Sequence, residues 1–359
     1  MKVDAPRPEN MVQRSAGHEP TTGRKVLFWT IVAVLLLLLA EAGAGVVLRV
    51  AYGRSLTEAE RLHDYDSELG WVNIKDRSGL NRYGIGDDAT HNSLGLRATK
   101  EYTAAVPAGR YRIIFLGDSF TYGVDTSDAG TFAAQLESLA PSIETVNMGV
   151  AGYGIDQMYL WYMREQSRFA ADLLVLALID DDLRRMKLSV FLPQNPKPRL
   201  FLRGDAITVT NVPVPTWGAV GRSGWLEDFP NGLALVRILR SIYEMFLQSY
   251  DPWPLAERIF ADLNRLSGEK HQRFVLVYLP TKADLASDRR SEVAGHLEEF
   301  TARERIPFLD LTDRLKAARK QSDAPLFAAR ATHYSEAGYK LIAESLLEGL
   351  RRELPEVPR

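Results

Sequence analysis

A serine directly after an apolar segment is the first residue of this chain whose setting could support nucleophilic catalysis. Ser119 ends the tripeptide Gly117-Asp118-Ser119, and residues 112–116 before it are typical of a buried parallel strand. At a strand-to-helix turn, the serine N–H can contribute to an oxyanion site, and the helix dipole favours the developing negative charge. A simple helix N-cap explains the same tripeptide, so other residues must decide between the two interpretations.

Two other predicted strands also end in residues suited to binding, and ligands of open α/β sheets bind beyond the carboxyl ends of the strands. Asn147 begins a glycine-rich segment that includes Gly152, and such a segment lets the backbone approach a ligand and present its N–H groups. Three successive aspartates, residues 180–182, follow the next strand. They fit a divalent-cation site or an acidic helix start equally well, so we predict no metal site and no cofactor from them.

A histidine near the C-terminus lies beside the start of the last predicted helix. His333 precedes Ser335, which is a natural N-cap for a helix over residues 335–350. None of the other five histidines has a comparable setting. A lone histidine is more often structural than functional, so its role depends on the residues that the fold brings to it.

Alternating apolar strands and amphipathic helices must position these residues. The pattern predicts strands at residues 112–116, 145–150, 173–179, 274–279 and 307–309, and helices at residues 131–139, 155–167, 287–304 and 335–350. This alternation predicts an α/β fold, a doubly wound parallel sheet flanked by helices. Residues 187–255 interrupt it with a β-hairpin over 200–209 and an amphipathic helix over 233–247, and we interpret them as an insertion that could cover the site.

The composition is that of a globular protein with little electrostatic bias. Hydrophobic residues make up 46% of the 359 residues, charged residues make up 25%, and the formal net charge is −2. This balance excludes a wholly disordered or many-span membrane protein, and it provides no field that would favour nucleic acid as a partner. The absence of cysteine excludes disulfides, thiolate nucleophiles and cysteine-based metal sites.

One segment departs from this average. Residues 26–48 hold a single charge, Glu41, and at about 1.5 Å per residue they can cross a hydrocarbon core of about 30 Å. The basic residues before it predict a cytoplasmic tail over 1–25, a transmembrane signal-anchor over 26–48 and a periplasmic or extracellular catalytic domain. A cleaved signal peptide, cut beside the small residues around Ala42, is the alternative.

Beyond the anchor we predict two regions. A lead-in region with short strands covers residues 49–105, and the α/β domain covers residues 106–355, with the insertion at 187–255 inside it.

In order and spacing, these residues resemble the SGNH/GDSL hydrolase family. Gly117-Asp118-Ser119 matches the family's first block, Asn147 and Gly152 match the second, and Thr332-His333 with Gly338-Tyr339 matches the last. The resemblance spans roughly residues 66–350, and Asn92-Ser93-Leu94-Gly95-Leu96-Arg97 is similar to the lead-in of membrane-anchored bacterial members.

The resemblance implies an SGNH-like α/β fold and assigns roles to five of these residues. Ser119 becomes the nucleophile and His333 the general base, while the backbone N–H groups of Ser119 and Gly152 form the oxyanion hole. Asp118 and Asn147 become supporting residues.

The third block departs from the family pattern. It usually supplies an asparagine whose side chain completes the oxyanion hole, and its slot here holds Asp180 or Asp181. An ionised carboxylate facing an oxyanion opposes catalysis, so this residue must be protonated, turned away or replaced by another donor.

The last block departs as well. The family's acid, three residues before the histidine, falls at Arg330, and an arginine cannot accept a hydrogen bond from the imidazole. Either another carboxylate takes over, or Ser119 and His333 work as a dyad. The candidate carboxylates are Asp323, Glu336 and residues 180–182.

The resemblance therefore implies an acyl ester hydrolase that acts outside the cytoplasm on an acylated carbohydrate or a lipid. Two alternatives stay open. An O-acyltransferase of envelope or extracellular polysaccharide would resolve the same acyl-enzyme with a sugar hydroxyl. A catalytically inactive binding module would explain Arg330 and the aspartates in the third block.

Overall fold

A five-stranded parallel sheet lies at the centre of the computed structural model of this chain. The structure describes residues 21–52, 61–80, 88–192, 195–216, 229–230, 232–321, 324–329 and 332–359. The strands in chain order are β1 (His63–Asp66), β2 (Gly70–Asn73), β3 (Arg77–Leu80), β4 (Asp88–His91), β5 (Tyr111–Leu116), β6 (Ile143–Asn147), β7 (Leu173–Leu178), β8 (Val190–Phe191), β9 (Asn195–Pro196), β10 (Arg199–Arg203), β11 (Ala206–Thr210), β12 (Arg273–Tyr278) and β13 (Phe308–Asp310).

Helices cover both faces of this sheet. In chain order, the helices of the described residues are α1 (Thr22–Tyr52), α2 (Ser119–Tyr122), α3 (Phe132–Leu139), α4 (Ile155–Glu165), α5 (Asp180–Arg185), α6 (Ala234–Ile242), α7 (Trp253–Glu269), α8 (Lys282–Ala286), α9 (Glu292–Glu304), α10 (Thr312–Gln321) and α11 (Glu336–Glu353). A π-helical turn, Tyr243–Leu247, continues α6.

The strand order β13-β12-β7-β5-β6, with every pair parallel, confirms the predicted doubly wound sheet. The chain places β6 on one side of β5 and then crosses to β7 on the other. The switch point between β5 and β7 therefore lies where ligands bind in such sheets, and the two predicted polar strand ends, at Ser119 and at Asp180, flank it.

Alternation along the buried strands divides the core into two layers. Ile113 and Phe115 of β5 pack with α3 and α11 on one face, and Ile114 and Leu116 pack with α4 and α7 on the other. Successive side chains of a strand point to opposite faces, so a fully apolar strand is the expected solution for a sheet covered on both sides.

Differences from the sequence prediction lie at helices. The helix predicted over 287–304 begins later, at Glu292, as α9, because the side chain of Ser291 accepts hydrogen bonds from the amides of Val293 and Ala294 and caps the helix there. Helices α7, α8 and α10 were not predicted. The hairpin predicted over 200–209 is present as β10 and β11.

Residues within the predicted insertion pack directly onto the sheet layer. Lys197, fully buried, donates hydrogen bonds from Nζ to both carboxylate oxygens of Asp156, at 2.8 and 2.6 Å, and to the carbonyl oxygen of Arg185 at 2.9 Å. Asp156 lies in α4 and is also fully buried. A buried ion pair with these extra hydrogen bonds requires its surroundings to stay in place, so this part of residues 187–255 is fixed to the domain.

The N-terminal helix α1 is largely uncovered. Its segment Thr22–Ala51 is long and apolar enough to cross a membrane, and little of it is buried against the rest of the chain. A signal sequence has the same properties. Only its distal part, through Ala44 and Leu48, packs against the domain, where it contacts α6.

Candidate active site

Three side chains from two distant parts of the chain meet at the carboxyl edge of the sheet. The Nε2 atom of His333 lies 2.8 Å from Oγ of Ser119, and its Nδ1 atom lies 3.0 Å from Oδ2 of Asp125. The imidazole thus bridges a hydroxyl and a carboxylate, with one hydrogen bond at each ring nitrogen. This is the geometry in which a histidine can accept a serine proton while a carboxylate stabilises the resulting imidazolium.

Ser119 is held by the turn between β5 and α2. The side chain of Asp118 caps α2 by accepting a hydrogen bond from the amide of Phe120 at 2.8 Å. The helix ends after one turn at Gly123, whose φ of +86° is in the left-handed region, so the chain turns back sharply. Ser119 is buried, with 8% of its surface exposed.

Asp125 follows this turn and has a positive φ of +67°, a backbone conformation that aspartate tolerates better than most residues. Arg97 from the lead-in region holds the loop on both sides of it. The guanidinium donates hydrogen bonds to the carbonyl oxygens of Gly123 at 3.3 Å and Thr126 at 3.0 Å. The Asp125 side chain is only 3% exposed, so the carboxylate is fixed in place beside the imidazole.

His333 is oriented by the loop before α11. Its ring packs 4.9 Å from the ring of Phe120, and its carbonyl oxygen accepts a hydrogen bond from the amide of Ala328 at 3.0 Å. The next residue, Tyr334, is fully buried and packs against Phe120. The predicted N-cap is present, because Oγ of Ser335 accepts a hydrogen bond from the amide of Gly338.

The second predicted strand end, at Asn147, lies against the turn that carries Ser119. The side chain of Asn147 accepts a hydrogen bond from the Gly149 amide at 2.9 Å and donates one to the carbonyl oxygen of Thr121 at 2.8 Å. Gly152 has φ +84°, and a Cβ atom there would lie 2.7 Å from the ring of Phe191. Within the described parts of the chain, neither the Gly152 amide nor the Ser119 amide donates a hydrogen bond, so both remain available to an oxyanion.

The aspartates of the third block point to other partners. Oδ1 of Asp180 accepts hydrogen bonds from the hydroxyls of Tyr278 at 2.7 Å and Ser291 at 2.9 Å, and Asp181 pairs with the exposed Arg184. Burial raises the pKa of Asp180, and the two hydroxyl donors oppose that shift. The expectation that Asp180 or Asp181 contributes to the oxyanion hole therefore finds no support in these contacts: both carboxylates are held by partners other than Ser119 and His333.

Arg185 is a second cation that contacts the turn that carries Ser119. Its Nη1 atom lies 2.8 Å from Oδ2 of Asp118 and 2.6 Å from Oδ1 of Asp182, and the same Asp118 oxygen lies 3.3 Å from Oγ of Ser119. Burial and the neighbouring Asp118 carboxylate hold the pKa of Asp182 well above its usual range. The guanidinium also lies 5.3 Å from the ring centre of Phe191, beside Gly152.

Asp125 is not among the carboxylates predicted from the sequence, which are Asp323, Glu336 and residues 180–182. The signal available was its place six residues after Ser119, directly beyond a one-turn helix that ends in glycine. Of the carboxylates proposed instead, Glu336 is exposed, and neither it nor residues 180–182 contact His333 in the described chain. Asp323 and Arg330 lie outside the described residues. Nor does this part of the chain bring together three or more metal-ligating side chains.

One comparison with known proteins covers the residues of this site. The family model for the GDSL-like lipase/acylhydrolase family matches residues 115–341, a range that contains Ser119, Asp125, Gly152 and His333. No curated protein sequence matches the chain significantly.

Solved structures that resemble the chain do so at low identity. A member of the lipolytic protein G-D-S-L family from Veillonella parvula DSM 2008 is 16% identical, covers 66% of this chain and 97% of its own, and gives a TM-score of 0.40. A putative lipolytic protein of the same family from Desulfitobacterium hafniense DCB-2 is 15% identical over 67% and 100% of the two chains, with a TM-score of 0.39. The psychrotrophic esterase EstA from Pseudoalteromonas sp. is 10% identical over 68% and 99%, with a TM-score of 0.39.

The contact between Asp125 and His333 predicts the effect of removing one charge without changing shape. Asp125→Asn places an amide beside Nδ1, which favours the wrong imidazole tautomer and no longer stabilises an imidazolium, so kcat for an aryl ester falls by about 10³–10⁴-fold. The matched control is Glu336→Gln, which leaves kcat unchanged. Loss of activity in the Glu336→Gln protein, with Asp125→Asn still active, would show that Asp125 is not the acid that pairs with His333.

A buried histidine beside the turn that carries Ser119 predicts how the free energy of unfolding depends on pH. His91 is 2% exposed, with Nδ1 3.0 Å from the carbonyl oxygen of Ile74 and Nε2 2.9 Å from the Tyr122 hydroxyl. Burial, assisted by the nearby His63, lowers the pKa of His91 to about 3. Between that value and the unfolded value of about 6.5 only the unfolded chain binds the proton, so stability is lost as pH falls through this window.

The measurement is urea unfolding of the full chain in detergent at pH 7, 6 and 5. Below pH 6 the free energy of unfolding decreases by up to about 1.4 kcal/mol per pH unit more in the wild type than in His91→Gln. Equal pH slopes for the two proteins would show that His91 is protonated in the folded state.

Proposed function

Because the chain belongs to the GDSL-like lipase/acylhydrolase family, we propose that it is a serine-dependent acyl ester hydrolase that acts outside the cytoplasm. The observation that carries this proposal is the imidazole of His333, which lies within hydrogen-bonding distance of both Ser119 and Asp125. Those contacts also favour an enzyme over an inactive binding module, because an inactive protein has no need for this arrangement.

In the proposed mechanism, Oγ of Ser119 attacks the carbonyl carbon of the ester while Nε2 of His333 takes its proton. The tetrahedral intermediate collapses when the imidazolium returns that proton to the departing alcohol, which leaves an acyl group on Ser119. A water molecule, deprotonated by His333, then attacks the acyl-enzyme, and the imidazolium returns the proton to Oγ of Ser119 as the carboxylic acid leaves. Asp125 accepts the Nδ1 hydrogen bond throughout and stabilises both imidazolium stages.

The oxyanion of both intermediates needs donors that are in place before the reaction begins. The amides of Ser119 and Gly152 are two such donors, because no described residue accepts a hydrogen bond from either. We assign the third donor to Arg185, in place of the usual asparagine. Its Nη1 is bound to Asp118, while Nε and Nη2 have no acceptor among the described residues.

We further propose that α1 anchors the enzyme in a membrane, with the catalytic domain on the periplasmic or extracellular side. The exposed apolar length of α1 and the basic residues before it support this topology. An enzyme fixed in this position meets acylated carbohydrate of the cell envelope, or lipid, as its ester-bearing substrate.

The direct test uses the full chain in detergent with a fluorophosphonate probe and short-chain aryl acetates. We expect covalent labelling and acetate release in the wild type, and a loss of about 10⁴-fold or more in both Ser119→Ala and His333→Ala. Ser138→Ala, at an exposed serine, is the matched control and keeps full activity. Labelling of Ser119→Ala at the wild-type level would exclude Ser119 as the nucleophile.

The same assay separates hydrolase from acyltransferase. Acetate release at a rate that does not depend on added oligosaccharide supports the hydrolase. If acyl groups instead accumulate on the oligosaccharide, with little free acetate, the protein is an O-acyltransferase and the hydrolase proposal is wrong.

The role assigned to Arg185 makes a prediction of its own. Arg185→Met lowers kcat by about 10²–10³-fold with KM nearly unchanged, because an oxyanion donor acts in the transition state. Arg184→Met, at the exposed neighbouring arginine, has no effect. If the double variant Asp118→Asn/Arg185→Met recovers activity, Arg185 serves only to neutralise Asp118 and is not an oxyanion donor.

A further inference from the structure

The segment α6 with its π-helical turn, residues 234–247, exposes apolar side chains on the side that faces away from the protein. Leu239, Ile242, Tyr243, Met245, Phe246 and Leu247 are 46–75% exposed. We call these six residues the exposed apolar face. They are six of the eleven large hydrophobic residues that are exposed in the described chain outside α1. Glu244 in the same segment is buried and Arg237 and Arg240 are half-buried, so the usual amphipathic orientation of a surface helix is reversed.

The first turn of α6 is bound to α1 through a single carboxylate. The N-cap residue Leu233 offers no side-chain acceptor, and instead Oε1 and Oε2 of Glu41 accept hydrogen bonds from the amides of Ala234 at 2.7 Å and Leu235 at 2.9 Å. Two free N–H groups at a helix N-terminus are well matched by an anionic acceptor. This contact explains the one charge in an otherwise apolar run, because a carboxylate at membrane depth is tolerated when it is hydrogen-bonded.

Apolar side chains add to this contact between α1 and α6. Ala44 and Leu48 of α1 are buried against Ala234, with Leu235 and Ile238 beside them. Glu41 lies two helical turns before Leu48, about 10 Å along the axis of α1. If α1 spans the bilayer, α6 therefore begins within the outer leaflet, and the exposed apolar face is continuous with the lipid-facing surface of α1.

We propose that residues 234–247 form an interfacial helix that buries its exposed apolar face in the outer leaflet beside α1. An exposed apolar cluster of this size marks an interaction surface, and the occupant that reaches both α1 and this face is the lipid bilayer. The inference rests on the proposed anchoring of α1, and it adds a second membrane contact made by the catalytic domain itself.

The other side of this segment is tied to the active-site wall. The carboxylate of Glu244, 5% exposed, accepts hydrogen bonds from the amide of Ser189 at 2.8 Å and from its hydroxyl at 2.6 Å. Two residues further on, Phe191 packs against Gly152 and lies beside the guanidinium of Arg185. The interfacial helix thus holds the proposed oxyanion site close to the membrane surface.

The absence of natural cysteine allows a single-site fluorescence test on the full chain. Phe246→Cys carries an environment-sensitive label, and the protein is reconstituted in vesicles of phosphatidylcholine and phosphatidylglycerol, with or without brominated acyl chains. We expect the label to shift its emission to shorter wavelength and to be quenched by the brominated lipid. Met245→Cys is a second site on the same face, Val46→Cys in α1 reports anchoring, and Glu269→Cys, at an exposed residue of α7, is the aqueous control.

The pattern of quenching distinguishes the outcomes. Quenching at Phe246→Cys, Met245→Cys and Val46→Cys, but not at Glu269→Cys, supports the interfacial helix. Quenching at Val46→Cys alone leaves the anchor intact and overturns the interfacial helix, while loss of quenching at Val46→Cys as well overturns the anchoring on which it rests. Shielding of the label that grows with protein concentration, without quenching by lipid, would assign the face to a second copy of the chain and overturn the proposal. Fluorophosphonate labelling of each variant confirms that it is folded.

Discussion

The bridge that His333 makes between Ser119 and Asp125 is the interaction on which the proposed chemistry depends, and the fold is arranged to hold its three members. The parallel sheet ends β5 at Ser119, the one-turn helix α2 reverses the chain toward Asp125, and the loop before α11 brings in His333. Each member is fixed by packing or by hydrogen bonds of its own, so the imidazole meets partners that are already oriented. Such pre-orientation is what makes a weak nucleophile effective.

Much of this arrangement could be predicted from the sequence because it depends on local pattern. Continuous apolar strands followed by polar strand ends predicted the sheet and the edge at which Ser119 and Asn147 lie, since the carboxyl ends of parallel strands lie at one edge of the sheet. His333 was found through the order of the motifs together with the N-cap at Ser335. These features depend on residues that are close together in the chain or on the general rules of α/β sheets.

What could not be predicted depends on contacts between distant residues. Asp125 reaches the imidazole only because its backbone adopts a positive φ and because Arg97 binds the carbonyl groups on both sides of it. Asp180 is held by Tyr278 and Ser291, which lie about a hundred residues further along the chain. No spacing rule encodes such partners. The lead-in region also supports the site, because Arg97 and His91 both contact the turn that carries Ser119.

The position of Asp125 has an evolutionary consequence. In this chain the proposed nucleophile and the proposed acid lie six residues apart, so they would be inherited and repositioned together. The segment before His333 is then released from supplying a carboxylate and has only to deliver an imidazole. Substitutions such as an arginine at position 330 can accumulate there without removing the proposed triad, and a search for relatives that demands an acid in that slot would overlook chains built in the same way.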